Sequence, residues 1–228
     1  MKRFSIFFLV IAALISQVSP APAGANGQLD QILANMQKNA QGIKTIYAKM
    51  TQEKRDPVVG GKEIYRGEIF LKHAGPGNDK VRINYTSPSR QSVSVIGDEI
   101  VLYQPNINQA IITSRKAQAA KNQEFSFVGT PYNSVPELKN RYNIVLKGQE
   151  QVGGASTAVL ELTPKGASAA QKLTMWVDQS TWFPVKYQVV EKNGNVSSFS
   201  LSEIRKNTAM GDGLFKIKFA DGTKFIRQ

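Results

Sequence analysis

The stretch that decides the fold reads Gly61-Gly-Lys-Glu-Ile-Tyr-Arg-Gly-Glu-Ile-Phe-Leu-Lys72, then Val81-Arg-Ile-Asn-Tyr-Thr-Ser-Pro88, then Val95-Ile-Gly-Asp-Glu-Ile-Val-Leu-Tyr-Gln-Pro-Asn106. These are short runs rich in branched and aromatic residues. Gly, Asp, Pro and Asn turns separate them, and no helical period intervenes. Strands this close in sequence pair as a meander, which makes a continuous antiparallel sheet. Within the first run Tyr65, Gly67, Ile69 and Leu71 share one parity, while Ile64, Arg66, Glu68, Phe70 and Lys72 take the other. Val81, Ile83 and Tyr85 alternate with Arg82 and Asn84, Val93 and Val95 repeat the alternation, and Gly97-Asp98 reads as a hairpin turn.

Upstream, Leu29, Ile32, Leu33 and Met36 recur at i, i+3, i+4 and i+7 and predict a one-sided helix from Leu29 to Ala40, ended by Gly42. Ile43 to Arg55 reads as a strand, turned by Asp56-Pro57 and Gly60-Gly61. Downstream, Ile100 to Tyr103 and Gln109 to Ser114 are the next two strands. The pattern then breaks. Arg115 to Gln123 is polar and Ala-rich, Phe125-Ser-Phe-Val128 follows, and Val135 to Arg141 suits a short helix begun by Ser134 and Pro136. Arg115 to Arg141 is expected to form an irregular, mostly helical insertion. Strands resume at Tyr142–Lys147, Ala155–Thr163, Gln171–Asp178, Trp182–Lys192 and Asn195–Arg205. Phe215, Ile217 and Phe219 suggest a last short strand, with a little more near Phe225. The expectation is a mainly β fold: about eleven strands, an N-terminal helix and a central helical insertion.

Residues 1–25 read differently. Lys2 and Arg3 precede an apolar run from Phe4 to Ile15, and Ala21-Pro-Ala23 and Ala23-Gly-Ala25 both fit a cleavage site. The apolar run is about a dozen residues, short of the roughly 20 that span a bilayer. A cleaved signal peptide is expected, leaving 26–228 as one domain with no repeat, linker or composition shift. The chain has no cysteine, which excludes disulfides, thiol nucleophiles and lipidation of the chain itself.

The chain carries 29 Lys and Arg against 17 Asp and Glu. The basic residues are scattered, and export argues against nucleic acid. Attraction to anionic headgroups or acidic partners and plain solubility remain open readings. Catalytic signals are absent. His73 is the only histidine, so a site with several His ligands is impossible, and no Gly-x-Ser-x-Gly elbow exists. Gly75-Pro-Gly77 lacks the Lys and following helix of a phosphate loop. No catalytic residue, metal or cofactor is expected.

The phrases Tyr65-Arg-Gly-Glu-Ile-Phe-Leu-Lys72, Val81-Arg-Ile-Asn-Tyr-Thr-Ser-Pro88, Gly97-Asp-Glu-Ile-Val-Leu-Tyr-Gln-Pro-Asn106, Leu160-Glu-Leu-Thr-Pro-Lys165, Leu173-Thr-Met-Trp-Val-Asp178 and Leu201-Ser-Glu-Ile-Arg205 fall in an order that resembles the LolA family of outer-membrane lipoprotein carriers. The resemblance covers nearly all of the expected mature chain. It implies a half-open antiparallel β-barrel closed by helices, in a soluble, monomeric periplasmic chaperone with no covalent step. It also implies lipidated proteins as cargo, an inner-membrane Lol ABC transporter that loads it and a LolB-like outer-membrane acceptor. An acyl-chain cavity is then expected from Leu33, Met36, Tyr47, Tyr65, Ile69, Leu71, Val81, Ile83, Tyr85 and Val95, with Phe125 and Phe127 in the lid. Where the family carries a Lys-Arg-Pro latch, this chain reads Lys72-His73-Ala74, so His73 and Arg82 are the candidate latch residues. A LolA-like lipid or lipoprotein sensor and a ligand-free envelope scaffold are the alternative readings.

Overall fold

The computed structural model describes residues 24–58, 60–75, 78–117 and 135–228. The segment expected to be a signal peptide lies outside them up to residue 23, as do Phe125 and Phe127.

Helix α1 (Gly24–Ala40) leads into β1 (Thr45–Arg55), β2 (Lys62–Lys72), β3 (Lys80–Ser87), β4 (Gln91–Ile96), β5 (Glu99–Gln104) and β6 (Gln109–Ser114). A short helix α2 (Val135–Arg141) then precedes β7 (Tyr142–Val152), β8 (Ala155–Pro164), β9 (Ala170–Asp178), β10 (Phe183–Glu191), β11 (Val196–Lys206) and β12 (Lys224–Arg227). The strands form one 12-stranded sheet in the order β12-β6-β5-β4-β3-β2-β1-β11-β10-β9-β8-β7. Its two ends, β12 and β7, are not paired, so the sheet is open. Neighbours are antiparallel except β12, which runs parallel to β6.

The meander expected from Gly61 to Asn106 is present strand for strand. Two readings differ. The strand expected over Tyr142–Lys147 runs on to Val152 as β7, because Gly153 and Gly154, both at positive φ, supply the tight turn. Phe215 to Phe219, read as a strand, begins instead with a 3₁₀ turn over Asp212–Phe215. Only Phe215 of that aromatic alternation is buried.

Helix α1 forms where the one-sided stripe predicts it. Ile32, Leu33 and Met36 are buried, and Leu29 is partly buried beside them. They pack with Val135 and Leu138 of α2 against Leu160, Leu173, Met175 and Tyr187 of the β8–β10 sheet. Each such buried side chain contributes roughly 1.5–3 kcal/mol relative to exposure. The Lys139 ammonium meets the Asp30 carboxylate at 3.2 Å, joining the two helices on their exposed side.

The C-terminal segment crosses the other face of the sheet. Phe215 is fully buried there, and the Ser94 hydroxyl donates to its carbonyl oxygen at 2.5 Å. The Asp212 carboxylate receives Lys72 from β2 at 2.7 Å and Lys80 from β3 at 3.0 Å. Phe219 stacks edge-on against Tyr103, with centroids 5.3 Å apart.

Candidate ligand-binding site

The face covered by α1 and α2 is called the inner face. Strand register defines it residue by residue. Ile46, Ala48 and Met50 of β1 oppose Leu71, Ile69 and Gly67 of β2. Leu71 and Ile69 oppose Val81 and Ile83, which oppose Val95 and Val93, which oppose Ile100 and Leu102. The period of two puts every one of these side chains on the same side.

The result is two apolar clusters on one face. One holds α1, α2 and β8–β10, and the other holds β1–β5 together with Phe183. Phe199 and Leu201 of β11 pack against both and make the apolar surface continuous. The β1–β5 cluster contains no helical residue among those described.

The expected cavity residues divide accordingly. Leu33 and Met36 lie in the helix-side cluster, and Ile69, Leu71, Val81, Ile83 and Val95 lie in the β1–β5 cluster. Tyr85 is partly buried against the latter, and its phenol donates to the Gln52 side-chain oxygen at 3.0 Å. Tyr65 stands edge-on to Tyr85, with ring centroids 5.9 Å apart, and its hydroxyl donates to Glu63.

Tyr47 is a correction. It pairs with Phe70 on the outer face, one residue out of phase with Ile46, Ala48 and Met50. Its phenol donates to Glu68 at 2.7 Å and Arg205 covers its ring. The Glu68 hydrogen bond is the first cause that raises the phenol's pKa, with burial second.

Of the two candidate latch residues, Arg82 is not on the inner side either. Arg82 shares the outer face with Phe70 and Ser94, where its Nε donates to Asn84 and its Nη2 to Ser92. Burial lowers its pKa. A guanidinium there lies on the face opposite α1 and α2. His73 is exposed just beyond β2, and its Nδ1 lies 2.5 Å from Asp79 of its own loop.

Sequence reading missed Gln52, Phe183, Phe199 and Leu201. Gln52 is a buried polar residue on the inner face. Its signal was available in the alternation Ile46, Ala48, Met50, Gln52. Phe199 and Leu201 sit among serines, which hides their role as the bridge between clusters.

A second feature opens in the sheet itself. The β10–β11 ladder runs from Val190 opposite Val196 to Lys186 opposite Ser200 and then stops. Both strands continue, β10 back to Phe183 and β11 on to Lys206. Bulges accompany the separation, one in β10 between Pro184 and Lys186 and one where β11 crosses β1 between Tyr47 and Lys49. Glu203 sits at φ 49° in the second. The cleft has a volume of about 410 Å³ and is lined by Asp178, Thr181, Phe183, Val185, Ser202, Glu203, Ile204 and Lys206.

The charges in the cleft are unequal in their commitments. Asp178 accepts from the Ser180 amide, the Ser180 hydroxyl and the Thr181 hydroxyl, each at 2.8 Å. Burial alone would raise its pKa, but these donors outweigh it and hold the carboxyl below its ordinary value. Glu203 is paired with Lys49. The Lys206 ammonium lies 4.9 Å from the centre of the Phe183 ring. Burial lowers its pKa, partly offset by Asp178. Among the described residues no three His, Asp or Glu side chains gather as metal ligands would. No helix among them is long and apolar enough to cross a membrane.

The chain thus presents an open antiparallel sheet with one continuous apolar face, covered by α1 and α2 over β8–β10. The chain belongs to the LolA family: the family pattern described as "Outer membrane lipoprotein carrier protein LolA" matches residues 41–218. No curated protein matches the chain in sequence. Several solved structures share the fold at low identity. An uncharacterised conserved protein from Thermus thermophilus aligns at TM-score 0.55 and 12% identity, covering 88% of this chain and 99% of that one. MucB aligns at 0.53 and 16%, covering 84% of this chain and 63% of its own length. LprF from Mycobacterium bovis aligns at 0.50 and 13%, covering 82% and 96%.

Proposed function

We propose that this protein is a periplasmic carrier that shelters the acyl chains of lipoproteins and moves them from the inner to the outer membrane. The observation that carries this reading is the continuous apolar inner face, in which Phe199 and Leu201 join the helix-side and β1–β5 clusters. An acyl chain gains about 0.8 kcal/mol per buried CH₂, so a sixteen-carbon tail costs roughly 12 kcal/mol to expose. Free diffusion through an aqueous compartment cannot meet that cost, whereas a carrier need only cover the chain. Release then requires an acceptor with a greater affinity, not a catalytic step.

In this reading residues 1–25 are removed on export and 26–228 act as a single monomeric carrier domain. Loading is by a Lol ABC transporter in the inner membrane, and delivery is to a LolB-like acceptor. The carrier uses no cofactor and performs no covalent chemistry. Family membership supports the binding class, and the absence of a histidine pair or nucleophile elbow in the sequence fits it.

The test is mass spectrometry of the protein purified from the envelope under non-denaturing conditions, paired with a lipoprotein-release assay from inner-membrane vesicles. Acylated proteins are expected to co-purify, and the protein is expected to bring lipoprotein into the soluble fraction. A ligand-free protein that releases none would leave a scaffold in place of a carrier.

A further inference from the structure

The cleft between β10 and β11 opens beside the β1–β5 cluster, because Phe183 belongs to that cluster and Ile204 packs against it. Its walls are therefore apolar on the inner side, while Lys206 brings a partly buried positive charge to the same space. A cation in such a place needs a counter-charge. Among the described residues none of the carboxylates stands within ion-pair distance of its ammonium, whose close neighbour is the face of the Phe183 ring. Asp178, held ionised by Ser180 and Thr181, favours the charged form of Lys206 from beyond ion-pair distance, and Glu203 is paired with Lys49. A flat aromatic face stabilises an ammonium, but it leaves the three N–H donors unused.

We propose that the cleft is a subsite for the anionic head, phosphate or carboxylate, of an amphiphile, with Lys206 as its counter-charge. The first methylenes of the chain lie against Phe183, Val185 and Ile204 and lead toward the inner face. This rests on the carrier reading and extends it, because it gives the protein a preference among amphiphiles by head charge. The cleft volume of about 410 Å³ suits a head and a few methylenes rather than a whole diacyl lipid. The remaining chain must enter the inner apolar surface. Ser202 stands at the same cleft and offers a hydroxyl donor to a remaining head oxygen.

The experiment measures binding of three probes to the purified protein below their aggregation concentrations. The probes are palmitoyl lysophosphatidylglycerol, monopalmitoylglycerol with the same chain and a neutral head, and inorganic phosphate alone. The anionic lipid is expected to bind about tenfold or more tightly than the neutral one, the usual range for one charge-assisted hydrogen bond. Lys206→Gln should abolish that preference while leaving neutral-lipid binding within about twofold, and Lys206→Arg should keep it. Thermal melting of each variant checks that the fold is intact. Equal affinity for the two lipids, or a preference that survives Lys206→Gln, overturns the subsite and leaves the carrier reading standing. Binding of neither lipid overturns the carrier reading and the subsite with it. Inorganic phosphate binding as tightly as the lipid would make this a free-anion site and overturn the amphiphile assignment.

Discussion

A Cβ placed on Gly67 would overlap the backbone carbonyl oxygen of Asn84, and the Asn84 carbonyl carbon and Tyr85 Cα would lie 2.9 Å away. The contact falls where the β2–β3 register shifts between Arg66 and Gly67. The glycine lets the two strands approach closely at this bulge, which aims Tyr85 onto the inner face. Backbone has no flexible end to move aside. Gly67→Ala should therefore destabilise the protein by about 1–3 kcal/mol. Gly166→Ala, where nothing lies within 4 Å, should stay within about 0.5 kcal/mol of the parent. Urea melts of the two variants check this, and equal stabilities would refute the close-approach role.

Asn207 ties the end of β11 to the turn between α1 and β1. It accepts from the Lys44 amide at 2.8 Å and donates to the Gly42 carbonyl at 2.9 Å. Its backbone lies at φ 59°, where most L residues are strained and Asn is tolerated. Asn207→Ala loses both bonds and adds strain, and should cost about 1–3 kcal/mol. Asn207→Gly loses the bonds without adding strain, and should cost about 1 kcal/mol less than Ala. A stability order of parent, Gly, Ala is the expected result of denaturant titration. An Ala variant as stable as the Gly variant would remove the backbone part of the argument.

Asp212 sits between Lys72 and Lys80, and the Lys72 hydrogen bond, then the Lys80 one, depress its pKa to about 2 from an ordinary 3.8. The folded state thus binds this proton less readily than the unfolded chain does. The stabilisation is present above pH 3.8 and is lost as pH falls toward 2. Asp212→Asn should flatten that part of the stability-against-pH curve and leave the slope above pH 5 unchanged. Melting curves of both proteins between pH 6 and pH 2 make the comparison. Parallel curves would mean the carboxylate does not fasten the C-terminal segment to β2 and β3.

Much of this architecture was legible because β alternation is a local signal. From Gly61 to Asn106 each strand carried its own parity and each turn its own Gly, Asp or Pro, and the ladders followed. Tyr47 shows where that signal fails. Its aromatic bulk suggested the inner face, but Ala48, almost without hydrophobic weight, is the residue that is fully buried. A single step in parity inverts a strand's face. Arg82 failed for a different reason. Its parity was read correctly, but the face on which the C-terminal segment lies is a tertiary fact. The β10–β11 cleft was not legible at all. It arises from two bulges in strands that individually read as unbroken, and from where a ladder stops, which no local pattern encodes.

Leu33 offers a test of how solid the helix-side cluster is. It is 2% exposed and packs with Met36 against β8–β10. Leu33→Ala should cost about 2–5 kcal/mol if the space it leaves stays empty. Added palmitoyl lysophosphatidylglycerol should restore part of that loss in the melting temperature, because ligand binding to the folded state raises its stability. A rise in the variant no larger than the parent's would place the chain elsewhere on the inner face.

Acyl chains are expected to lie on the inner face. The direct measurement uses a lipoprotein bearing a photoreactive diazirine within its acyl chain, incubated with the protein, irradiated, and mapped by peptide mass spectrometry. Adducts are expected on inner-face residues, namely Leu33, Met36, Ile69, Leu71, Phe199 and Leu201, which line the two joined clusters. Adducts confined to the outer face, on Tyr47, Trp176 or Val101, would contradict it, as would a protein that takes no label.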